Sequence, residues 1–460
     1  MTMKVLVLLL AISYIFPLMG QVKKYERGKI IDSVMVSSTS AESIAIYLPN
    51  AYTADSQSSI VFIFEPMARG KIGIQPFVKA SEKYNHILVC SNNSRNGPYD
   101  RNMQIADRLF RQVLSEFNVN PRRIYVAGFS GGARLASTIA VVTGQMQGVI
   151  ACGAGFSGNQ MLYQNNSEFS YAAIVGDQDM NYIEMYKNKD YLKTLNISNE
   201  LFVFEMNHKW PSQEQILEAF SWLELEAYRK GLIELDIEKI KDFYINYYTK
   251  SKHLEERDQL LLARDSYERI RRNYQTYFKV DSVSQRIDAL ESNPELKKEV
   301  KELKKIMDEE IRLSQMFSDR FSEDLNRKTT DLEWWKAKIE GLKKEKLKVN
   351  DNRKKMLNRL LYKIYAMAIE KVSVGDRVEH IDQSVLCYDI CLLVYPKYYF
   401  LYFKQMENYM NKNDDDMVML YLEKMIGQGY TNMEIVKNHK SFLKYSDDKR
   451  FLELLRLGAN

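Results

Sequence analysis

The stretch Gly128-Phe129-Ser130-Gly131-Gly132 sets one serine among glycines. An apolar run, Arg123–Ala127, leads into it, and a helical pattern, Gly132–Val142, leads out. A sharp strand-to-helix turn holds its serine in a strained backbone conformation, so the neighbours must be small. The turn also lifts the hydroxyl out at the carboxyl end of a sheet. The N-terminal dipole of the next helix then faces the charge that develops during acyl transfer. The expected chemistry is attack by Ser130 on an acyl carbon. The plainer alternative is a glycine-rich structural turn.

A nucleophilic serine needs a base, and histidines are scarce. There are five: His86, His208, His253, His380 and His439. His86 precedes a strand upstream of the serine, and the last three lie in a helical half. His208 follows the apolar run Leu201–Glu205 in Met206-Asn207-His208-Lys209-Trp210-Pro211, where a loop base is expected after the last strand. A surface-loop histidine is the alternative. The acid that orients the imidazole is sought between the two, where Tyr171–Val175 ends in Gly176-Asp177-Gln178-Asp179. Asp179 is preferred because a Gly-x-x-Asp turn lets it reach back toward His208, with Asp177 as the alternative acid. The oxyanion needs two N–H donors. One is Gly131. The other is sought in Glu65-Pro66-Met67-Ala68-Arg69-Gly70, where Pro66 has no N–H and Met67 or Ala68 is left to donate.

The elements that would position these residues read as strands at Ser33–Val36, Ser43–Leu48, Ser59–Phe64, His86–Cys90, Arg123–Ala127, Gly148–Ala154, Tyr171–Val175 and Leu201–Glu205. Helical patterns fall at Phe77–Tyr84, Met103–Glu116, Gly132–Val142 and Ser212–Tyr228. Alternating strands and helices with continuous Val/Ile runs predict a mainly parallel sheet covered on both faces. The first strands alternate differently and suit an antiparallel edge.

Residues 33–228 resemble the α/β-hydrolase superfamily, nearest to esterases of the dienelactone hydrolase and polyhydroxybutyrate-depolymerase-like type. The resemblance rests on Ile46-Tyr47-Leu48-Pro49, Gly128–Gly132, Gly176–Asp179 and His208-Lys209-Trp210-Pro211. It implies a Ser–Asp–His triad and an acyl-enzyme. Two departures leave the substrate open: Phe64-Glu65-Pro66 stands where such esterases often carry His-Gly or Asp-Pro, and Asn207 stands where Gly is usual.

After residue 230 Gly and Pro thin out and long helical patterns run over Asp236–Thr249, His253–Tyr277, Pro294–Phe321, Asp331–Leu347, Asp351–Val372, Ile381–Val394, Tyr399–Met410 and Asp415–Gln428. Residues 381–427 weakly resemble tetratricopeptide repeats. Ser384, Tyr388, Cys391 and Pro396 fall at that repeat's small, aromatic, small and proline positions, and Tyr402, Tyr409, Val418, Leu422 and Met425 partly continue it. That is roughly one and a half repeats, where a stable stack usually needs three, so the earlier helices must contribute. The expected division is a signal segment over 1–20, a hydrolase domain over 21–230, a helical linker or lid over 231–350 and a tetratricopeptide-like domain over 351–460. Trp334-Trp335 and Tyr398–Tyr402 suit either a carbohydrate or peptide groove or helix packing.

The formal net charge is +5, shared between the two halves. No clustered basic face emerges, which argues against nucleic acid. Lys4, the apolar run Val5–Ile15 and the small Gly20 before a charged stretch read as a signal peptide, hence export to the periplasm or medium. The run falls short of the ~18–20 residues that span a bilayer, so a retained anchor is the lesser reading. Four cysteines are too few for a disulfide framework. Cys387 and Cys391, four apart on a helix, read as packing residues before they read as a metal pair. No phosphate loop, zinc, calcium or dinucleotide motif is seen, and no metal or cofactor is expected. Three functions remain: an esterase on a small-molecule or carbohydrate acyl substrate, a peptidase with the same triad, and a non-catalytic scaffold. The helical half offers a surface for a protein partner.

Overall fold

The computed structural model describes residues 25–38, 41–156, 168–327, 331–375 and 381–459. The expected signal segment lies outside them. None of the described helices is long and apolar enough to cross a membrane.

Eight strands form one sheet: β1 (Ile30–Met35), β2 (Ser43–Tyr47), β3 (Ser58–Phe64), β4 (His86–Ser91), β5 (Val119–Phe129), β6 (Gly148–Cys152), β7 (Ser170–Gly176) and β8 (Asn199–Phe204). Their order is β1-β2-β4-β3-β5-β6-β7-β8. The pairs β1–β2 and β2–β4 are antiparallel, and every other pair is parallel. The antiparallel edge expected from the opening strands is therefore present. β3 is buried along its whole length, Ser58–Phe64, because helices cover both faces. Side chains alternate between those faces. Val61, Ile63, Tyr125 and Ala127 share a core with Phe77, Phe220 and Trp222. Phe62, pointing the other way, meets Phe110 edge-on at 4.4 Å.

Nine α-helices accompany the strands up to residue 292 among the described residues: α1 (Gly70–Ile74), α2 (Val78–Tyr84), α3 (Tyr99–Glu116), α4 (Gly131–Thr143), α5 (Tyr182–Thr194), α6 (Gln213–Arg229), α7 (Ile237–Glu256), α8 (Leu260–Tyr274) and α9 (Asp281–Ser292). Ser212 starts α6 with a capping box: its side chain accepts from Gln215 N–H, and the Gln215 side chain accepts from Ser212 N–H. Helices α7–α9 are not a linker. Ile240, Phe243, Tyr267, Ile270 and Ile287 join the same apolar core as the sheet and α6. The edge strand β8 is tied to α8, where Arg269 donates to the Leu201 carbonyl at 2.9 Å and Arg272 to both Glu200 oxygens at 2.8 Å. The described polar contacts from α7–α9 go to α6 and β8. The first compact unit accordingly runs to Glu302 and the second from Leu303 to Asn460, a division that falls between the 230 and 350 boundaries expected from composition.

The second unit is all helical. Most of α10 (Pro294–Arg327) lies in it, with α11 (Leu332–Lys346), α12 (Asp351–Gly375), α13 (Ile381–Val394), α14 (Phe400–Asn411), α15 (Asp415–Gly427), α16 (Met433–Asn438) and α17 (Lys449–Ala459). Trp335 is sealed in its core with Phe317 and Ile339, and its indole N–H donates to Asp324 at 2.8 Å. This is packing, not a groove. Cys387 and Cys391 are buried free thiols. Tyr402 is buried as well, whereas Tyr398 and Phe400 are exposed.

Candidate active site

Site geometry begins with backbone contacts that only glycine permits. A Cβ on Gly128 would lie 2.3 Å from the backbone of Gly132, and one on Gly132 would lie 2.0 Å from the Phe64 carbonyl oxygen. The end of β5, the start of α4 and the end of β3 thus meet with no room for a side chain. Between these glycines Ser130 takes φ 52 and ψ −122, a conformation that costs a non-glycine residue about 1–3 kcal/mol and persists only where its surroundings enforce it. Here Ser130 N–H is pinned to the Cys152 carbonyl at 2.8 Å, and its own carbonyl accepts from Ala133 and Arg134 in the first turn of α4.

The three side chains expected to converge do so. Ser130 Oγ lies 3.0 Å from His208 Nε2, and His208 Nδ1 lies 2.8 Å from Asp179 Oδ2. The Asp179 side chain is fully buried. An ionised carboxylate only accepts, so Nδ1 carries the proton, and in the neutral ring Nε2 is left to accept from Ser130. The second carboxylate oxygen of Asp179 accepts from Asn181 N–H at 2.9 Å, and the Asn181 amide donates to the Gly153 carbonyl at 2.7 Å. Gly153 has φ +66, and a Cβ there would lie 2.7 Å from the Phe129 ring and 3.3 Å from the His208 ring. Phe129 packs against His208 with ring centroids 4.6 Å apart, and against Trp210 at 5.3 Å. The imidazole is therefore held by a hydrogen bond and by an aromatic wall. Asp177 N–H donates to the Phe204 carbonyl at 2.9 Å, securing the turn.

The oxyanion donors divide differently. Gly131 opens α4 directly after the serine, as required. In the loop after β3, however, Met67 N–H donates to Glu65 Oε2 at 2.7 Å, and Ala68 N–H donates to the Glu65 carbonyl at 3.1 Å. Both expected donors are engaged within their own loop. The Glu65 side chain is wholly buried and is held further by the backbone and guanidinium of Arg69. Sequence reasoning missed both this clasp and Asn96. Asn96 lies in the loop after β4, and its amide lies over Gly131. The available signal was positional, since β4 borders β3 and loops at the carboxyl ends of neighbouring strands meet at the site.

Crossovers placed on a mostly parallel sheet, and a strained serine between β5 and α4 facing a buried Asp–His pair, define a serine hydrolase of the α/β-hydrolase fold. Residues 88–221 match the family described as phospholipase/carboxylesterase. No curated protein matches the chain. Among solved structures it is similar to the S-formylglutathione hydrolase of Staphylococcus aureus, with 14% identity over 44% of this chain and 99% of that one and a TM-score of 0.34. It is similar also to the feruloyl esterase module of Clostridium thermocellum (16%, 42% and 87%, TM-score 0.35). Esterase 2 of Thermogutta terrifontis is a third (12%, 46% and 99%, TM-score 0.37).

Proposed function

We propose that the chain hydrolyses carboxylic esters through an acyl-enzyme on Ser130. His208 Nε2 takes the hydroxyl proton as Oγ bonds to the acyl carbon, and Asp179 stabilises the imidazolium. Collapse of the tetrahedral intermediate breaks the bond to the alcohol oxygen, which leaves with the proton from His208. A water then repeats the sequence: His208 takes its proton, the water oxygen bonds to the acyl carbon, and the carboxylic acid departs as Oγ regains a proton. The observation that carries this reading is the continuous chain of contacts, 3.0 Å from Ser130 to His208 and 2.8 Å from His208 to Asp179. A panel of p-nitrophenyl esters and aminoacyl anilides tests it. Turnover of esters that disappears in Ser130→Ala is expected. Turnover of anilides alone would make the enzyme a peptidase, and ester turnover that survives Ser130→Ala would refute the site.

Export is part of the same proposal and rests on Lys4 and Val5–Ile15. A mature N-terminus near Gln21 in the periplasmic or secreted fraction is expected, and full-length chain retained in the cytosol would oppose it. The helical unit is proposed as a docking region for a protein partner, on the tetratricopeptide-like spacing of 381–427. Cross-linking in cells that attaches no partner peptide to those helices would count against that role.

A further inference from the structure

We infer that the side-chain amide of Asn96 supplies the second oxyanion donor, opposite Gly131 N–H. The inference rests on the reading of Ser130 as nucleophile and begins from a deficit. An acyl-transfer site needs two preorganised donors where the carbonyl oxygen becomes negative, and the loop after β3 does not offer its N–H groups. Met67 N–H is held at 2.7 Å by the Glu65 carboxylate. An oxyanion placed on that N–H would compete with a buried carboxylate for one proton and would lie beside its charge. Ala68 N–H closes the turn onto the Glu65 carbonyl.

Asn96 stands beside Gly131, the first donor. Its backbone N–H donates to the Pro66 carbonyl at 2.9 Å, which fixes it to the same loop. Its side chain reaches over Gly131. A methyl group on Gly131 would sit 1.9 Å from Asn96 Oδ1, 2.8 Å from Cγ and 3.3 Å from Nδ2. Gly131 is therefore glycine because an amide occupies the space above it. Among the described residues that amide has no hydrogen-bond partner, so it can turn toward a bound oxyanion without breaking a bond. The last torsion of asparagine is broad and nearly two-fold, so a half-turn brings Nδ2 to the position of Oδ1 without moving the backbone. An N–H of a neutral amide aimed at an oxyanion makes a charge-assisted hydrogen bond, stronger in the tetrahedral intermediate than in the ground-state ester.

The test is steady-state kinetics of Asn96→Ala on a p-nitrophenyl ester, beside Ser130→Ala. Asn96 is exposed and its backbone bond survives truncation, so the variant is expected to melt where the wild type does. The expected result is a fall in kcat of about 10²–10³-fold with KM nearly unchanged, as for loss of one such donor. Retained kcat, or a rise in KM alone, overturns the inference while leaving Ser130 in place. Turnover that survives in Ser130→Ala overturns the underlying site instead. Should Asn96→Ala fail to fold, Asn96→Leu keeps the branched shape but carries neither donor nor charge. It is then read the same way: loss of kcat supports the assignment, and wild-type kcat ends it.

Discussion

Replacing Asp179 by Asn probes the site with the smallest change of shape. The carboxylate sits between two donors: Asn181 N–H at 2.9 Å on Oδ1 and His208 Nδ1–H at 2.8 Å on Oδ2. An amide can accept on only one side. If its oxygen keeps Asn181, its NH₂ faces His208 Nδ1, which must then accept. The ring proton moves to Nε2, and Ser130 loses its base. The reverse orientation keeps the productive tautomer but sets the NH₂ against Asn181 N–H in a buried site. Leaving such donors unpaired costs about 1–3 kcal/mol, so the unproductive tautomer dominates by roughly one to two decades. The variant also loses the negative charge that stabilises the imidazolium. Together these give an expected fall in kcat of about 10⁴-fold, or about 5.5 kcal/mol. The assay is p-nitrophenyl ester turnover with Ser130→Ala as background and a melting curve to show that the fold is kept. Asp177→Asn should retain most of the activity. A folded Asp179→Asn enzyme within about tenfold of wild type, or a larger loss in Asp177→Asn, would refute this reasoning.

Gly132→Ala forces a methyl group to within 2.0 Å of the Phe64 carbonyl oxygen, and overpacking against backbone should lower stability by about 3 kcal/mol or more, read by chemical denaturation. Glu200→Gln removes one of the two carboxylates paired with Arg269 and the one paired with Arg272, while Glu218 stays on Arg269, so a loss of about 1.5–3 kcal/mol is expected. Burial alone would raise the Glu200 carboxyl, but Arg269 and Arg272 outweigh it and hold it below the ordinary carboxylate range. The stability gap between wild type and Glu200→Gln should therefore be complete at neutral pH and narrow as acid protonates Glu200 in the folded state. Burial pushes all four thiols up, Cys387 to about 12. Ellman's reagent at mildly alkaline pH should then leave the native protein unlabelled and titrate the cysteines only on unfolding.

What could be read from the sequence was what lies in short-range pattern. The continuous apolar run of β3 and the 3.6-residue spacing of α3 gave both elements to within a few residues, and the glycines around Ser130 marked the turn. Three long-range partners were legible because few other histidines and acids stood at strand ends. α5 was not, because Lys187, Asn188, Lys189 and Asp190 blur its apolar stripe. The break between α7 and α8 was misplaced near 250, since the chain turns instead at Asp258, with φ 56. The domain boundary escaped because Tyr247, Tyr267 and Tyr274 look like surface aromatics until α6 is seen beneath them. The Glu65 clasp and the seat of Asn96 above Gly131 are contacts between loops, and no periodicity records those.

The proposed chemistry requires Ser130 to be a nucleophile activated by His208. The direct measurement is incubation of the whole protein with a fluorophosphonate, followed by peptide mass spectrometry. One covalent adduct on the peptide bearing Ser130 is expected, absent from Ser130→Ala and strongly slowed in His208→Ala. A folded wild-type protein that takes up no label, or carries it on another residue, would contradict the account.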